Sequence, residues 1–378
     1  MADMDLRQTV LYGQVMPQAV QDTYTEFDNV DFVINVGEGR ALLKNSVRVL
    51  ADVLVTTDGA ARPAAQSTLG WNRNAGAHSF FQSVQVSTQL SGLIENVQNY
   101  PRLVNMVSTA SNDRLDLINS DRQCELRGHV DNSTNLWAQG YVPYVEANGT
   151  APAIADFDFS LKPMCALNSM SGGDLASAKS GAITLSLNLA KNIDALRGGD
   201  QTATCDYKLS NLRCTFQSVL ADPKAPPTGM RVTYNIKSNV LSGAATVSAN
   251  VPALVSGVSI SLIDTYEDSR LTYDSYALQR PLNIQEVQYL FNDQTNSLIT
   301  YSITDQSEML ERFIDSLENT GHNQVSMDQF RANQGFALGL NFDGLVDLSQ
   351  NRFTLQLTSD ADSRPSNIYM YFHSVATI

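Results

Sequence analysis

Strict alternation of apolar and polar residues recurs along the whole chain, and it constrains the fold more than any other feature. Val30, Phe32, Ile34 and Val36 alternate with Asp31, Val33 and Asn35, and Val47, Val49, Ala51, Val53 and Val55 with Arg48, Leu50, Asp52 and Leu54. Ile183, Leu185, Leu187 and Leu189 repeat the pattern, as do Val232, Tyr234 and Ile236, then Val258, Ile260 and Leu262, then Phe353, Leu355 and Leu357. Side chains on a strand point alternately to opposite faces, so each run predicts a strand with one face on a core. Turn-forming clusters separate the runs: Asp58-Gly59, Gly198-Gly199-Asp200, Asn292-Asp293 and Asp343-Gly344. This spacing belongs to an all-β sandwich or barrel rather than to helices alternating with parallel strands.

Two short helices interrupt the strands. Over Ser307 to Leu317, the residues Met309, Leu310, Phe313, Ile314 and Leu317 share a face, Asp305 and Glu308 stand at capping positions, and Gly321 follows the end. The other begins at Pro101, a favoured first helical residue, and carries Leu103, Val104 and Val107 on one side. Each helix follows a strand, a turn and a second strand: Ser83–Val86 and Leu93–Val97 in one case, Glu286–Tyr289 and Leu298–Tyr301 in the other. The offset is about 200 residues, which predicts an internal duplication of two all-β units.

The small, turn-prone run Glu146 to Ala153 is the expected boundary, giving units at 28–150 and 151–378. The Pro-rich run Asp222 to Pro227 reads as an exposed loop within the second unit. Residues 1–27 are expected to form an assembly arm outside the sandwich. There, Asp3 or Asp5 would cap a helical turn carrying Leu6, Val10 and Leu11, ended by Gly13 and Pro17. That turn is too short to be stable alone, so its apolar side needs a partner.

Charge narrows the function classes. The 378 residues hold 25 Lys and Arg against 39 Asp and Glu, a net charge of −14, and residues 1–30 hold Arg7 alone against Asp3, Asp5, Asp22, Glu26 and Asp28. Nucleic acid and anionic membranes both demand clustered cations, so direct binding to either is not expected. The start Met1-Ala2-Asp3-Met4-Asp5 lacks the apolar stretch of a secretion signal, and folding in a reducing compartment is the expectation.

Motifs that carry chemistry are not found. Cys124, Cys165, Cys205 and Cys214 have no paired metal or redox spacing, and His78, His129, His322 and His373 have no His or Cys at ligand spacing. Gly257-Val258-Ser259-Ile260-Ser261 lacks the last glycine of a nucleophile elbow, and Gly37-Glu38-Gly39 reads as a tight turn. The acidic groups Asp156 with Asp158, Asp264 with Glu267 and Asp268, and Asp360 with Asp362 read as solvated loops rather than calcium sites. No catalytic residue, cofactor-binding residue, metal ligand or cofactor is therefore assigned.

Several segments together resemble the double jelly-roll major capsid proteins of icosahedral DNA viruses. They are Ala77-His78-Ser79-Phe80-Phe81-Gln82-Ser83-Val84-Gln85-Val86 with Ile94-Glu95 and Tyr100-Pro101, then Phe159 to Pro163, Ser180 to Ala190, and Gln350 to Leu357. The resemblance implies two jelly rolls side by side with a few short helices. It implies a non-enzymatic structural protein of the virion, assembled inside the host cell, whose homotrimers form pseudo-hexagonal capsomers tiling a shell. Its implied partners are neighbouring capsomers, penton and minor capsid proteins and an internal membrane layer, with no direct contact to nucleic acid. A minor capsid or spike protein is the alternative, binding a receptor or glycan through Tyr141, Tyr144, Tyr266 and Tyr273. A glycoside-cleaving sandwich ranks last, because Trp71 and Trp137 are the only tryptophans available as sugar platforms.

Overall fold

The computed structural model describes residues 10–57, 71–72, 74–111, 124–126, 156–196, 205–240, 245–270, 272–279, 284–292, 301–317, 327–331, 335–360 and 365–378. Its first half contains β1 (Leu11–Val15), β2 (Asn29–Ile34), β3 (Arg40–Leu42), β4 (Arg48–Thr57), β5 (Phe81–Thr88) and β6 (Gly92–Gln98), then helix α1 (Tyr100–Ser111). β7 (Asp156–Leu161), β8 (Met170–Gly172), β9 (Leu175–Ala176), β10 (Ile183–Leu189) and β11 (Cys205–Leu220) follow. The second half contains β12 (Thr228–Val240), β13 (Ala245–Ala249), β14 (Leu254–Asp264), β15 (Ile284–Phe291) and β16 (Tyr301–Ile303). Helices α2 (Gln306–Ser316) and α3 (Met327–Arg331) come next, and β17 (Leu338–Asp347), β18 (Phe353–Ser359) and β19 (Ser366–Thr377) complete the chain.

The same sandwich is built twice. In the first roll, β1 pairs with β11, β11 with β4 and β4 with β7, while the facing sheet runs β2-β10-β5-β6. In the second, the order is β12-β19-β14-β17 facing β13-β18-β15-β16. Counting the eight main strands of each roll in chain order, with β3 extending β4, both rolls read 1-8-3-6 and 2-7-4-5. That is the jelly-roll order. The expected duplication is present: β5, β6 and α1 hold the places that β15, β16 and α2 hold in the second roll. Every alternating run named above falls on a strand, and its apolar set is buried, as with Val49, Ala51 and Val53 on β4 and Leu185 and Leu187 on β10, except on β12, where Tyr234 and Ile236 are half-buried.

Two expectations fail. Residues 146–153 lie outside the described residues, but β7, β9, β10 and β11 beyond them all pair with strands of the first roll. The strands therefore divide at the Pro-rich run 221–227, between β11 and β12, and not near residue 150. A jelly roll cannot close until its seventh and eighth strands return to pair with its early ones, so a composition change midway is no boundary. The N-terminal segment also differs. Residues 1–9 lie outside the described residues, yet Leu11–Val15 is a strand rather than a helical turn, paired from Leu11↔Ser218 to Val15↔Cys214. The open edge of β11 offers unpaired amides and carbonyls, and a lone helical turn satisfies none of them. Gly13 permits this pairing: a Cβ there would lie 2.3 Å from the Phe216 ring.

Candidate functional site: the joint between the rolls

β6 ends the sheet β2-β10-β5-β6 and there meets β12, in a single parallel bridge between Tyr234 and Asn96. Around this bridge, side chains make the contact. The Glu95 carboxylate accepts Thr233 N–H at 2.8 Å from the second roll and Ala166 N–H at 2.6 Å from the first. The Asn235 side-chain oxygen accepts Gln98 N–H at 2.9 Å, and Tyr371 OH donates to the Asn99 carbonyl at 2.9 Å. Strand β8 extends the contact by pairing with the start of β12.

Behind Glu95 lies a buried polar row. Along the segment after β7, alternate amides are each taken by a side-chain oxygen: Lys162 N–H by Glu125, Met164 N–H by Tyr100 and Ala166 N–H by Glu95. Pro163 lacks an amide, and the alternation leaves it unneeded. His78 Nδ1 meets Tyr100 OH at 2.6 Å, and its Nε2 stands 3.6 Å from Glu125 Oε2. Burial pushes the Glu95 carboxyl up to about 7 against the pull of its two amide bonds, and burial raises Tyr100 well above its ordinary value. Across the seam, burial pulls His373 down to about 4, where its Nε2 lies 2.9 Å from Ser259 Oγ. Glu95 and His373 both line a cavity of about 230 Å³ with Leu103, Val107, Met164 and Val232.

A second cluster closes the joint around Arg102 of α1, which is 1% exposed. Its guanidinium donates to the Ser275 carbonyl, to Ser261 Oγ at 3.3 Å and to the Ala277 carbonyl at 3.4 Å. It stands 3.7 Å from Asp268 and 4.4 Å over the Tyr369 ring. Asp268 also accepts from Tyr369 OH and Asn367, and lies 3.8 Å from Lys237 Nζ. Every partner of Arg102 named here belongs to the second roll, so one helix of the first roll plugs the second through a buried cation.

Among the described residues no three His, Cys, Asp or Glu side chains gather as a metal site. Cys165, Cys205 and Cys214 are buried free thiols and Cys124 is exposed. Asp264 and Asp268 are engaged in structural hydrogen bonds, and Asp360 bonds Gln285. Tyr266 and Tyr273 form an edge-on pair at 6.0 Å, with Arg270 3.7 Å over the Tyr266 ring. Tyr141, Tyr144, Trp137, His129, His322 and Asp362 lie outside the described residues. The quoted motif residues His78, Glu95, Tyr100, Lys162 and Pro163 converge on one buried row. Sequence reading missed Arg102 and Glu125, and it took Asp264 and Asp268 for a solvated loop, whereas Asp264 is buried and Asp268 is enclosed by Arg102, Asn367 and Tyr369. The one available signal was a lone cation two residues after Tyr100, on the helix face opposite Leu103, Val104 and Val107.

No family model matches the sequence, and no curated protein does. Solved structures do match the fold. A chain of the Sputnik virophage aligns with a TM-score of 0.58 at 12% identity, covering 98% of this chain and 86% of its own. The Faustovirus major capsid protein aligns at 0.57 and 11%, covering 98% and 90%. The mavirus major capsid protein aligns at 0.56 and 10%, covering 97% and 87%. At these identities the likeness is one of fold: the chain is a double jelly roll along nearly its full length.

Proposed function

We propose that this chain is a major capsid protein, a structural component of an icosahedral virion shell that assembles inside the host cell as homotrimeric, pseudo-hexagonal capsomers. The observation that carries this reading is the repeated strand order, 1-8-3-6 facing 2-7-4-5, in two rolls fused through a buried joint. Three such chains present six similar rolls, and six similar units around an axis make a hexagonal tile. The likeness to the Faustovirus and mavirus capsid proteins supports it. A buried joint of hydrogen bonds and ion pairs suits a protein that carries mechanical stress within an assembly.

Neighbouring capsomers, penton and minor capsid proteins, and a membrane layer beneath the shell are the partners this role calls for. The net charge of −14 makes direct DNA contact unfavourable, so the genome is screened from the shell by something else. The glycan-binding alternative is weakened by Arg270, which already occupies one face of Tyr266. The deciding experiment is light scattering on the purified chain. A species of three times 41.3 kDa is expected, and a stable single chain at micromolar concentration overturns the reading.

A further inference from the structure

Each jelly roll has two unlike sides. One carries its first and second strands, the other its fifth and sixth, because each pair lies at the edges of the two facing sheets. Within the chain, the fifth strand of the first roll, β6, meets the first strand of the second, β12. This leaves two sides whose edge strands take no part in the joint, although Phe27 and Ser316, at the end of α2, line cavities along it. One is the first-strand side of the first roll, with β1, β2 and residues 16–28 between them. The other is the sixth-strand side of the second roll, with β16, β17 and helices α2 and α3 between them.

An independent observation marks the same two sides. Val10, Leu11, Tyr12, Met16 and Val20 are all exposed, Tyr12 at 81% and Val20 at 71%, and all fall within eleven residues at the β1 edge. A run of large apolar side chains on an open strand edge is the feature that isolated soluble sheets avoid. On the other side, Leu310, Ile314 and Met327 line a shallow groove of about 320 Å³ between α2 and α3. Leu345, 56% exposed, lies on the neighbouring edge strand β17.

We propose that these two sides are the two halves of one contact between copies of this chain: residues 10–20 of one copy seat against the α2–α3 groove and the β17 edge of the next. The contact would repeat between chains the first-strand to fifth-and-sixth-strand meeting that already joins the rolls within one chain. The occupant is therefore a second copy, because no other partner would continue an arrangement the chain itself contains. The contact is heterologous: each copy offers both halves, and the series closes only as a ring. It rests on the capsomer reading and specifies the surfaces that build the capsomer.

Two variants test it. The first, Tyr12→Glu with Val20→Glu, blocks one half, and the second, Leu345→Glu with Met327→Glu, blocks the other. All are made in the full chain, with a melting temperature near the parent's certifying the fold. Leu345→Glu alone replaces the second pair if Met327→Glu disturbs folding. Each variant alone is expected at the single-chain mass of 41.3 kDa, while an equimolar mixture, which keeps one intact contact, gives a species of twice that mass. Variants that retain the parent's trimer mass overturn this proposal and leave the capsomer reading standing. A mixture that stays at single-chain mass overturns the heterologous pairing. A parent chain that is itself monomeric sinks the capsomer reading instead.

Discussion

The first strand of each roll occupies the same place in the same strand order, yet the two are covered in opposite ways. β12 is 13 residues long and lies between β19 and the edge of the other roll, where Glu95 takes Thr233 N–H and β8 continues the pairing. β1 is five residues long, pairs with β11 alone among the described strands, and leaves Leu11 and Tyr12 exposed. The covered edge is keyed by buried hydrogen bonds and one buried cation, each aimed at a named partner. Such groups cost desolvation and return it only when geometry is fixed, which suits a joint formed once during folding. The open edge offers apolar area with no buried charge to match, which suits a partner that arrives afterwards. One edge plan thus serves two kinds of contact, distinguished by what covers it.

Removing the buried cation is expected to break the covered edge most severely. Arg102→Ala strips Asp268 of its buried partner and leaves the carbonyls of Ser275 and Ala277 without donors. Breaking a buried pair from one side typically costs about 3–5 kcal/mol. Urea unfolding should show a loss of that order, with an earlier transition in the second roll if the rolls separate. The charge-conserving Arg102→Lys should recover only part, because lysine cannot reach several acceptors from one planar group.

A smaller, pH-dependent effect should follow from Glu95 and His373. The Glu95 carboxyl sits at about 7 in the folded chain against 4.5 ordinarily. Its contribution is full below 4.5 and is lost as pH rises through 7, an effect of about 3 kcal/mol at most. His373 is lowered to about 4 from 6.5, so its contribution is full above 6.5 and lost as pH falls through 4. Melting temperature should therefore peak between the two folded values, near pH 5 to 6 by this arithmetic. In Glu95→Gln the decline as pH rises towards 7 should flatten, at the cost of one of the two amide bonds. A decline that persists unchanged in that variant would assign it to other groups.

The strands were legible in the sequence because alternation is a local property. β4 and β10 each carry their buried face in consecutive alternate residues. The duplication was legible because strand, turn, strand and helix recur in order. What failed was closure. That β10 inserts between β2 and β5, and that β11 returns to β4, depends on pairings between residues 95 or more apart, which no local pattern encodes. The N-terminal strand was misread for a related reason. Leu11-Tyr12-Gly13-Gln14-Val15 has weak alternation of its own, and only the open edge of β11 makes it a strand. Half of the joint could be quoted from sequence as His78, Glu95 and Tyr100. Arg102 and Asp268, 166 positions apart, could not, because their pairing exists only once the two rolls are side by side.

The smallest expected effect sharpens the comparison from the side of the open edge. Gly13→Ala places a methyl group 2.3 Å from Phe216 Cζ, so the ring or the strand must shift. Overpacking of this kind costs about 1–3 kcal/mol in a closed core. Here, among the described strands, β1 pairs with β11 alone and can lift away, so the loss should be local and nearer the lower end. Melting of the whole chain should fall by only a few degrees, whereas amide exchange should quicken from Tyr12 to Val15, where the strand detaches. If the β1 edge serves association, the same substitution should weaken the trimer more than it lowers the melting temperature, because the docking surface loses its shape while the core keeps its packing. Equal losses in both would mean that β1 matters to the fold of its own roll and not to a neighbour.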